Sequence, residues 1–315
     1  MIFSKLIMVY YPLILIILGT ILNLLTFIIL CRTTFRNTNK QTTLHYMRII
    51  AICDIFILFG WNFDHYLERS IGIQISTYSI ITCKLLTFFN YFIHHISAWL
   101  RVLICFDRYI SLNRLSPTWF NQSKNILIII GFLFLIFLLI NLHFLSFVCY
   151  SENNQIKIES PYYTVYPIWN YINLIIYNCL PFLLMIIFNS GIMYHLFLLR
   201  RLSTVRKTSR IHHRTISITL LLTTSLFFLL TTPISIADVL FPERNETIYF
   251  IFDSMLYTYH ILGFPVYLFT FTEFRREFLK SISFYKCRNL SNVHINTSNQ
   301  NVINRLFTIS DNSLK

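Results

Sequence analysis

Long apolar runs alternate with short polar segments along the chain. Seven runs stand out, at about 8–31, 49–67, 80–106, 125–149, 166–199, 215–241 and 248–271. Each has about the 20 residues, or more, that a helix needs to cross the hydrocarbon core of a bilayer. The pattern therefore predicts an all-α membrane protein in which residues 8–271 form a bundle of seven transmembrane helices.

Composition supports this class. Hydrophobic residues make up 55% of the chain, charged residues 12%, and the mean hydropathy is +0.59, whereas a soluble domain carries about 25% charged residues. The first run could instead be a signal peptide. Its stretch "LIMVYYPLILIILGTILNLLTFIIL" is about twice as long as the apolar region of a signal peptide, and no small-residue cleavage site follows. We therefore predict that it remains as the first helix.

The basic residues are unevenly distributed between the segments that join the runs. Four alternate segments hold 20 of the 26 Lys and Arg residues: 32–48, 107–124, 200–214 and 272–315. Because short basic loops stay in the cytoplasm, we expect these segments inside and the N-terminus, residues 1–7, outside. The net charge of +13 then faces anionic lipid, and no nucleic-acid partner is needed to explain it.

Several smaller features follow from this orientation. Asn245 begins a glycosylation sequon on the outer side. In the outer segment 150–165, the alternation "IKIE" predicts a short hairpin strand. Residues 272–288 form a basic amphipathic segment at the inner surface, and Cys287 near its end is a candidate for palmitoylation. Its predicted lipid-facing residues recur at helical spacing: Phe274, Phe278, Ile282 and Tyr285. The Asn- and Ser-rich remainder, 289–315, is predicted to be disordered.

Polar side chains inside a bilayer are costly and usually mark functional positions. The predicted spans contain Asn23, Asp54, Asn90, Ser97 and Arg101. The fifth, sixth and seventh spans each carry a proline, which frees a backbone carbonyl and bends the helix: Pro181, Pro233 and Pro265. The seven cysteines include no CxxC pair and no metal-ligand spacing, so we predict no metal and no cofactor.

The third run ends in the triplet Asp107-Arg108-Tyr109, 24 residues after Cys83. In a helix this separation spans ~36 Å, one membrane crossing. Further matches occur in the same order at Asn23, Asp54, Ser97, Pro181, Phe227, Pro233 and Pro265. Over about residues 8–285 the chain thus resembles the rhodopsin-like G-protein-coupled receptors, whose fold is a seven-helix bundle with a short amphipathic eighth helix. Its departures from the family include Thr231 (family Trp), and Phe264 and Leu268 (the Asn and Tyr of NPxxY).

The resemblance implies roles for both ends of the third helix. At the outer end, Cys83 would form a disulfide with Cys149, since both lie where disulfides persist. At the inner end, Asp107 would hold Arg108 by a salt bridge at rest and release it toward a G protein on activation. Alternatively, both charges simply mark the membrane–water boundary. An enzyme is not indicated, because no nucleophile, metal cluster or Gly-rich phosphate loop accompanies them.

Arg101 departs from the family, which has an apolar side chain there. It lies one turn from Ser97 on the third helix. Asp54 and Ser97 match two positions of the family's sodium pocket, and we expect Arg101 to reach Asp54, with its guanidinium in place of the ion. The alternative is that Arg101 extends along the helix toward water.

The resemblance also narrows the ligand. Amine receptors have an Asp where this chain has Asn90, and opsins have a Lys where it has Thr258. What remains is an acidic and aromatic outer vestibule, with candidate ligand-binding residues Asn90, Tyr91, His94, Tyr162, Tyr163, Trp169, Asp238, Asp253 and Tyr257. This chemistry suits a basic amidated peptide, and invertebrate neuropeptide receptors of the FMRFamide type are the nearest match.

The sequence therefore predicts a plasma-membrane receptor that couples an extracellular peptide to a heterotrimeric G protein. The lipid bilayer is its other partner, and an arrestin is a further candidate. Two alternatives stay open: a chemosensory receptor of the same fold for small molecules, and a seven-helix transporter or pump. A pump would need several acids along its helices and a Schiff-base Lys, and only Asp54 lies deep in a span.

Overall fold

The computed structural model describes residues 2–32, 43–113, 123–153, 155–157, 166–201, 207–240 and 246–282, which are almost entirely helical. The chain divides into two units, Met1–Phe271 and Thr272–Lys315. Several residues with predicted roles lie outside the described ranges: Tyr162, Tyr163, Asn245, Tyr285, Cys287 and the tail 289–315.

The helices of the first unit are α1 (Ile2–Leu30), α2 (Thr43–Phe59), α3 (Trp61–Ile71), α4 (Ile80–Asn113), α5 (Ser123–Asn141), α6 (His143–Phe147), α7 (Tyr166–Asn173), α8 (Leu180–Arg201), α9 (Lys207–Leu240), α10 (Glu246–Tyr259) and α11 (Gly263–Thr270). A 3₁₀ turn, Ile75–Thr77, precedes α4, and a π-helical segment, Leu174–Cys179, joins α7 to α8. Two short strands, β1 (Tyr150–Glu152) and β2 (Gln155–Lys157), follow α6. Since α1 begins at Ile2, most of the segment predicted as a separate N-terminus belongs to the first helix.

Five stretches of the described chain are long and apolar enough to cross a membrane: Ile7–Leu30, Thr43–Ile71, Asn125–Phe147, Ile168–Leu198 and Ser217–Leu240. These correspond to five of the seven predicted spans, and the structure fits an all-α membrane protein. The other two predicted spans do not meet this criterion of length and apolarity, each for its own reason. Helix α4 is long but carries polar side chains through its middle, and the last span is divided at 260–262 into α10 and α11.

At the break between α2 and α3, Gly60 lies close against α4. A Cβ atom at Gly60 would lie 2.8 Å from Asn90 Oδ1, so no larger residue fits there without movement. The buried carboxylate of Asp64, on α3, accepts hydrogen bonds from two residues that follow this helix. The donors are Ile75 N at 2.5 Å and Ser76 Oγ at 2.6 Å. The chain between α3 and α4 is thus fixed onto α3.

The predicted disulfide between Cys83 and Cys149 is confirmed. Around it the structure packs a hydrophobic cluster that includes Phe144, Val148 and Trp169. The predicted hairpin strand is also confirmed, because β2 pairs antiparallel with β1, Ser151 opposite Ile156. The start of α4 is therefore covalently joined to the hairpin segment.

Pro181 shapes the segment between α7 and α8. Leu180 N donates to Ile175 O, five residues back, so in this register the next carbonyl, Ile176 O, faces Pro181, which has no N–H. Trp99 Nε1 of α4 donates to Ile176 O at 3.0 Å and satisfies it. A side chain from a neighbouring helix thus replaces the backbone bond that proline removes.

The second unit contains helix α12, 272–282, in its described part. Within this helix, Lys280 Nζ lies 2.8 Å from Glu277 Oε1. Leu279 and Ile282 are exposed, whereas Phe274 is fully buried. The prediction that Phe274 lies on the lipid is therefore wrong, because burial removes it from the exposed apolar face.

Candidate functional site around Asp54

A single buried carboxylate, Asp54 on α2, is the centre of a polar network inside the first unit. Its side chain is 4% exposed. Ser97 Oγ on α4 donates to Asp54 Oδ1 at 3.0 Å. His260, in the turn after α10, donates from Nδ1 to the same oxygen at 2.8 Å. Three separate segments of the chain therefore meet at one side chain.

Arg101 provides the cation for this network. Its Nη2 lies 2.9 Å from Asp54 Oδ2 and 3.1 Å from Oδ1, so the predicted contact is confirmed. Its Nη1 donates to Ser97 O at 2.9 Å and also to Ser97 Oγ. The guanidinium carbon lies 4.9 Å from the centre of the Tyr259 ring, within the range of a cation–π contact. With its side chain only 13% exposed, Arg101 is turned inward rather than toward water.

The turn at 260–262 places His260 on Asp54. Three successive backbone N–H groups, from His260 to Leu262, bond to carbonyls three residues back instead of four. Pro265 follows and cannot donate to Ile261 O, which favours this tightening. Asn23 Nδ2 on α1 donates to His260 O at 3.0 Å and fixes the turn from the other side.

The network compensates its own charges. A buried carboxylate without a partner would be strongly unfavourable in this apolar surrounding, and so would a buried guanidinium. Here the Asp54 carboxylate and the Arg101 guanidinium neutralise each other. Ser97 and His260 donate further hydrogen bonds to Asp54 Oδ1. The arrangement suits a structural and conformational role, since it joins α2, α4 and the last span by bonds that depend on their relative positions.

The C-terminal end of α4 carries the predicted coupling triplet. Asp107 is buried, and its Oδ2 accepts a hydrogen bond from Thr43 Oγ1 of α2 at 2.7 Å. The bond between Asp107 and Arg108 stays a prediction. Tyr109 packs against α8 so closely that a Cβ atom at Gly191 would lie 2.5 Å from Tyr109 Cε2.

Buried aromatic rings surround His94, one of the predicted ligand-binding residues. The His94 ring centre lies 5.7 Å from that of Tyr177, 6.4 Å from that of Tyr257 and 5.5 Å from that of His260. His94 and Tyr257 are thus in ring contact, and their place in a ligand vestibule stays a prediction. His260 links this cluster directly to Asp54.

The hydrogen bonds of the two histidines fix their tautomers. His94 Nδ1 lies 2.7 Å from Asn90 O, a pure acceptor, so Nδ1 carries the hydrogen. His260 Nδ1 carries it for the same reason, because it faces a carboxylate oxygen. Each neutral ring then has an acceptor lone pair at Nε2. Among the described residues neither Nε2 atom has a hydrogen-bond partner.

The other predicted ligand residues occupy two further environments. Tyr91 stacks on Phe144 with ring centres 4.5 Å apart, and its ring meets Trp169 edge-on, so both predicted residues belong to the cluster around the disulfide. Asp238 and Asp253 are half-buried on α9 and α10, and Asp238 O accepts from Asn170 Nδ2. The structure therefore does not gather every predicted residue into one cavity.

Sequence reasoning missed His260 and Tyr259. Both lie within the predicted seventh span, where a histidine is a rare residue, and that rarity could have singled out His260. Tyr259 carried no comparable signal, because tyrosines are frequent in this chain. Within the described residues no group of three or more His, Cys, Asp or Glu is arranged to hold a metal ion.

Comparison with known proteins adds no family assignment. No protein-family model matches the chain, and no curated protein is significantly similar to it. The class that the fold defines is therefore a helical protein with five helices long and apolar enough to span a membrane. The resemblance to receptors depends on the residues of the chain alone.

Proposed function

We propose that the chain is a seven-helix receptor of the rhodopsin-like type, in the plasma membrane with its N-terminus outside. It would bind an extracellular ligand, with a neuropeptide as the first candidate, and activate a heterotrimeric G protein. The two spans beyond the five apolar helices would be α4 and the pair α10–α11. Their polar side chains face partners inside the bundle, which makes crossing compatible with their lower apolarity.

The single observation that carries the proposal is the construction of α4. One uninterrupted helix, Ile80–Asn113, has a disulfide at Cys83, the ion pair of Arg101 in its middle and Asp107 buried near its far end. The three features lie along one helix about as long as a membrane crossing requires. A receptor needs such an element, because ligand and G protein act on opposite sides of the bilayer.

The histidine pair supports a ligand with hydrogen-bond donors. His94 Nε2 and His260 Nε2 are both acceptors, so a complementary group must provide at least two N–H or O–H hydrogens. Because Arg101 already neutralises Asp54, a further positive charge would be unfavourable there. A neutral primary amide satisfies both conditions, and amidated peptides carry one at their C-terminus.

We further propose that Arg101 takes the place of the sodium ion that the family binds beside the equivalent of Asp54. The guanidinium lies within 3.1 Å of both carboxylate oxygens, where a bound cation would compete with it. Replacing sodium by a large organic cation in the medium should therefore leave basal signalling unchanged in the native chain.

A signalling assay tests the proposal. Cells that express the chain are challenged with a library of amidated peptides and of their free-acid counterparts, and intracellular calcium and cyclic AMP are recorded. We expect a response to some amidated peptides that disappears in Arg108→Ala. Asp107→Asn should raise basal signalling, because it removes the charge predicted to hold Arg108.

Surface expression of each variant must match the native chain, with Arg276→Met as the reference substitution, since Arg276 is exposed on α12. A response to small odorants but not to peptides would favour the chemosensory alternative. An unchanged response in Arg108→Ala would contradict the proposed coupling.

A further inference from the structure

Helix α9 has a weak point at Pro233. The helix runs from Lys207 to Leu240 and contains this proline, which cannot donate a hydrogen bond to Leu229 O. A proline inside a helix allows it to bend at that position. The side chains around Pro233 therefore decide how the two halves of α9 are held relative to each other.

One buried amide holds both sides of this point. Thr231 Oγ1 lies 2.7 Å from both Asn178 Oδ1 and Phe227 O, so its one hydrogen is shared between these two acceptors. Asn178 Nδ2 donates to Ser235 Oγ at 2.5 Å. Thr231 precedes Pro233 by two residues and Ser235 follows it by two. Asn178 is 1% exposed and Thr231 0%, so water does not compete for these bonds. The amide thus spans the proline from the neighbouring helix.

Asn178 is itself firmly placed. It belongs to the π-helical segment Leu174–Cys179, whose wider turn is followed by Pro181. Two residues before it, Ile176 O accepts the hydrogen bond from Trp99 Nε1 of α4. The position of α4 is thereby transmitted through the π-helical segment to the proline of α9.

A surface groove lies between α8 and α9 on the inner side of this bridge. Its lining includes Phe182, Asn189, Met193, Leu221, Thr224 and Phe228. Within the groove Phe182 stacks on Phe228 with ring centres 3.9 Å apart, and Asn189 Nδ2 donates to Thr224 Oγ1 at 2.9 Å. A displacement of the inner half of α9 against α8 would change these two contacts.

We propose that Asn178 is a positioning residue that sets the bend of α9 through Thr231 and Ser235. Its two hydrogen bonds restrain the inner half of α9, and their loss favours a displaced position. The proposal deepens the proposed receptor function, on which its signalling consequence rests, because a G protein would bind on the side where α9 moves. The restraint itself is a property of the fold and can be measured without any ligand.

The test uses variants of the hydroxyl partners, because Asn178→Ala leaves a hole in a buried position. Thr231→Val keeps the shape and removes the donor, Ser235→Ala removes the acceptor, and Thr231→Ser keeps the hydroxyl as the matched control. Spin labels on ketone-bearing residues at the exposed positions Tyr194 and Ile218 report the distance between the inner parts of α8 and α9. Basal signalling of the same variants is recorded in cells.

We expect Thr231→Val and Ser235→Ala each to increase the population with the longer distance about fivefold, as the loss of one typical hydrogen bond would. Thr231→Ser should leave the native distribution. An unchanged distribution in both Thr231→Val and Ser235→Ala would overturn the proposal, even if their thermal stability fell, because a merely structural bond lowers stability alone. A longer distance without any change in signalling would uphold the restraint and count against the receptor function.

Discussion

At the scale of single residues, the buried carboxylate of Asp54 requires a balancing charge and hydrogen-bond donors around it. A carboxylate within a membrane-spanning helix is tolerated when its charge is balanced and its oxygens are hydrogen-bonded. Arg101 supplies the charge, and Ser97 and His260 supply further donors. The four side chains therefore behave as a unit, and the loss of one changes the energy of the others.

The first prediction concerns this unit. Arg101→Leu removes the cation and leaves Asp54 buried, so we expect the free energy of unfolding to fall by about 3–5 kcal/mol. Asp54→Asn in the Arg101→Leu background should restore part of the loss, because it removes the uncompensated charge. Thermal unfolding of the purified protein in detergent measures both effects.

Arg276→Met is the control, since Arg276 is exposed on α12. Exposed side chains contribute little to stability, so this substitution should change the free energy of unfolding by no more than about 0.5 kcal/mol. If the double variant were less stable than Arg101→Leu alone, the two side chains would not form a compensating pair.

The contact between Arg101 and Asp54 was predictable because an intramembrane charge needs a partner. The resemblance placed Asp54 beside Ser97, and Arg101 lies one helical turn from Ser97. The role of His260 was not predictable in the same way. A regular helix through Pro265 would direct residue 260 differently, and only the tightened turn at 260–262 brings it onto Asp54. The contact of His260 with Asp54 therefore depends on a local irregularity of the helix, which hydrophobic periodicity does not reveal.

At the scale of elements, the apolar pattern located the helices well and their irregularities poorly. The predicted span at 49–67 is divided at Gly60, and the predicted span at 166–199 contains a π-helical segment. Both irregularities lie against α4, one at Asn90 and one at Trp99. Since such contacts join residues far apart in the chain, hydropathy could not reveal them.

The second prediction tests the contact between α4 and α8. In Gly191→Ala the added Cβ would lie 2.5 Å from Tyr109 Cε2 and 2.8 Å from Cδ2, so the ring must shift. We expect a loss of about 1–3 kcal/mol in the free energy of unfolding, as overpacking typically causes. Chemical denaturation in detergent measures the loss, and Tyr109→Leu should reduce it by making room.

Gly131→Ala on α5 is the matched control, because a Cβ atom there has nothing within 4 Å. Alanine also favours the helical conformation over glycine by up to about 1 kcal/mol. Equal destabilisation by the two substitutions would mean that the helix backbone, rather than Tyr109, responds to the change at Gly191.

At the scale of the whole molecule, the number of membrane crossings decides between the proposed receptor and other helical membrane proteins. Five helices qualify by length and apolarity, and α4 and α10–α11 are the remaining candidates. An odd number of crossings places the two ends of the chain on opposite sides of the membrane. The receptor proposal needs this outcome, because seven is an odd number of crossings.

The third prediction follows. In intact cells an antibody should reach an epitope tag at the N-terminus, and a tag after Lys315 should become accessible only when the membrane is permeabilised. Flow cytometry of the tagged chains, before and after permeabilisation, distinguishes accessible tags from protected tags. Tags that are both accessible, or both protected, in intact cells would rule out seven crossings.

Because three segments meet at Asp54, the exchange of single helices between related chains is restricted. Removing one residue from a helix turns all that follows by about 100° and shifts it by ~1.5 Å. Such a slip in α2, α4 or α10 would point Asp54, Arg101 or His260 away from the shared centre. Chimaeras that exchange only one of these helices should therefore misassemble, and those that inherit all three from a single parent should insert and fold.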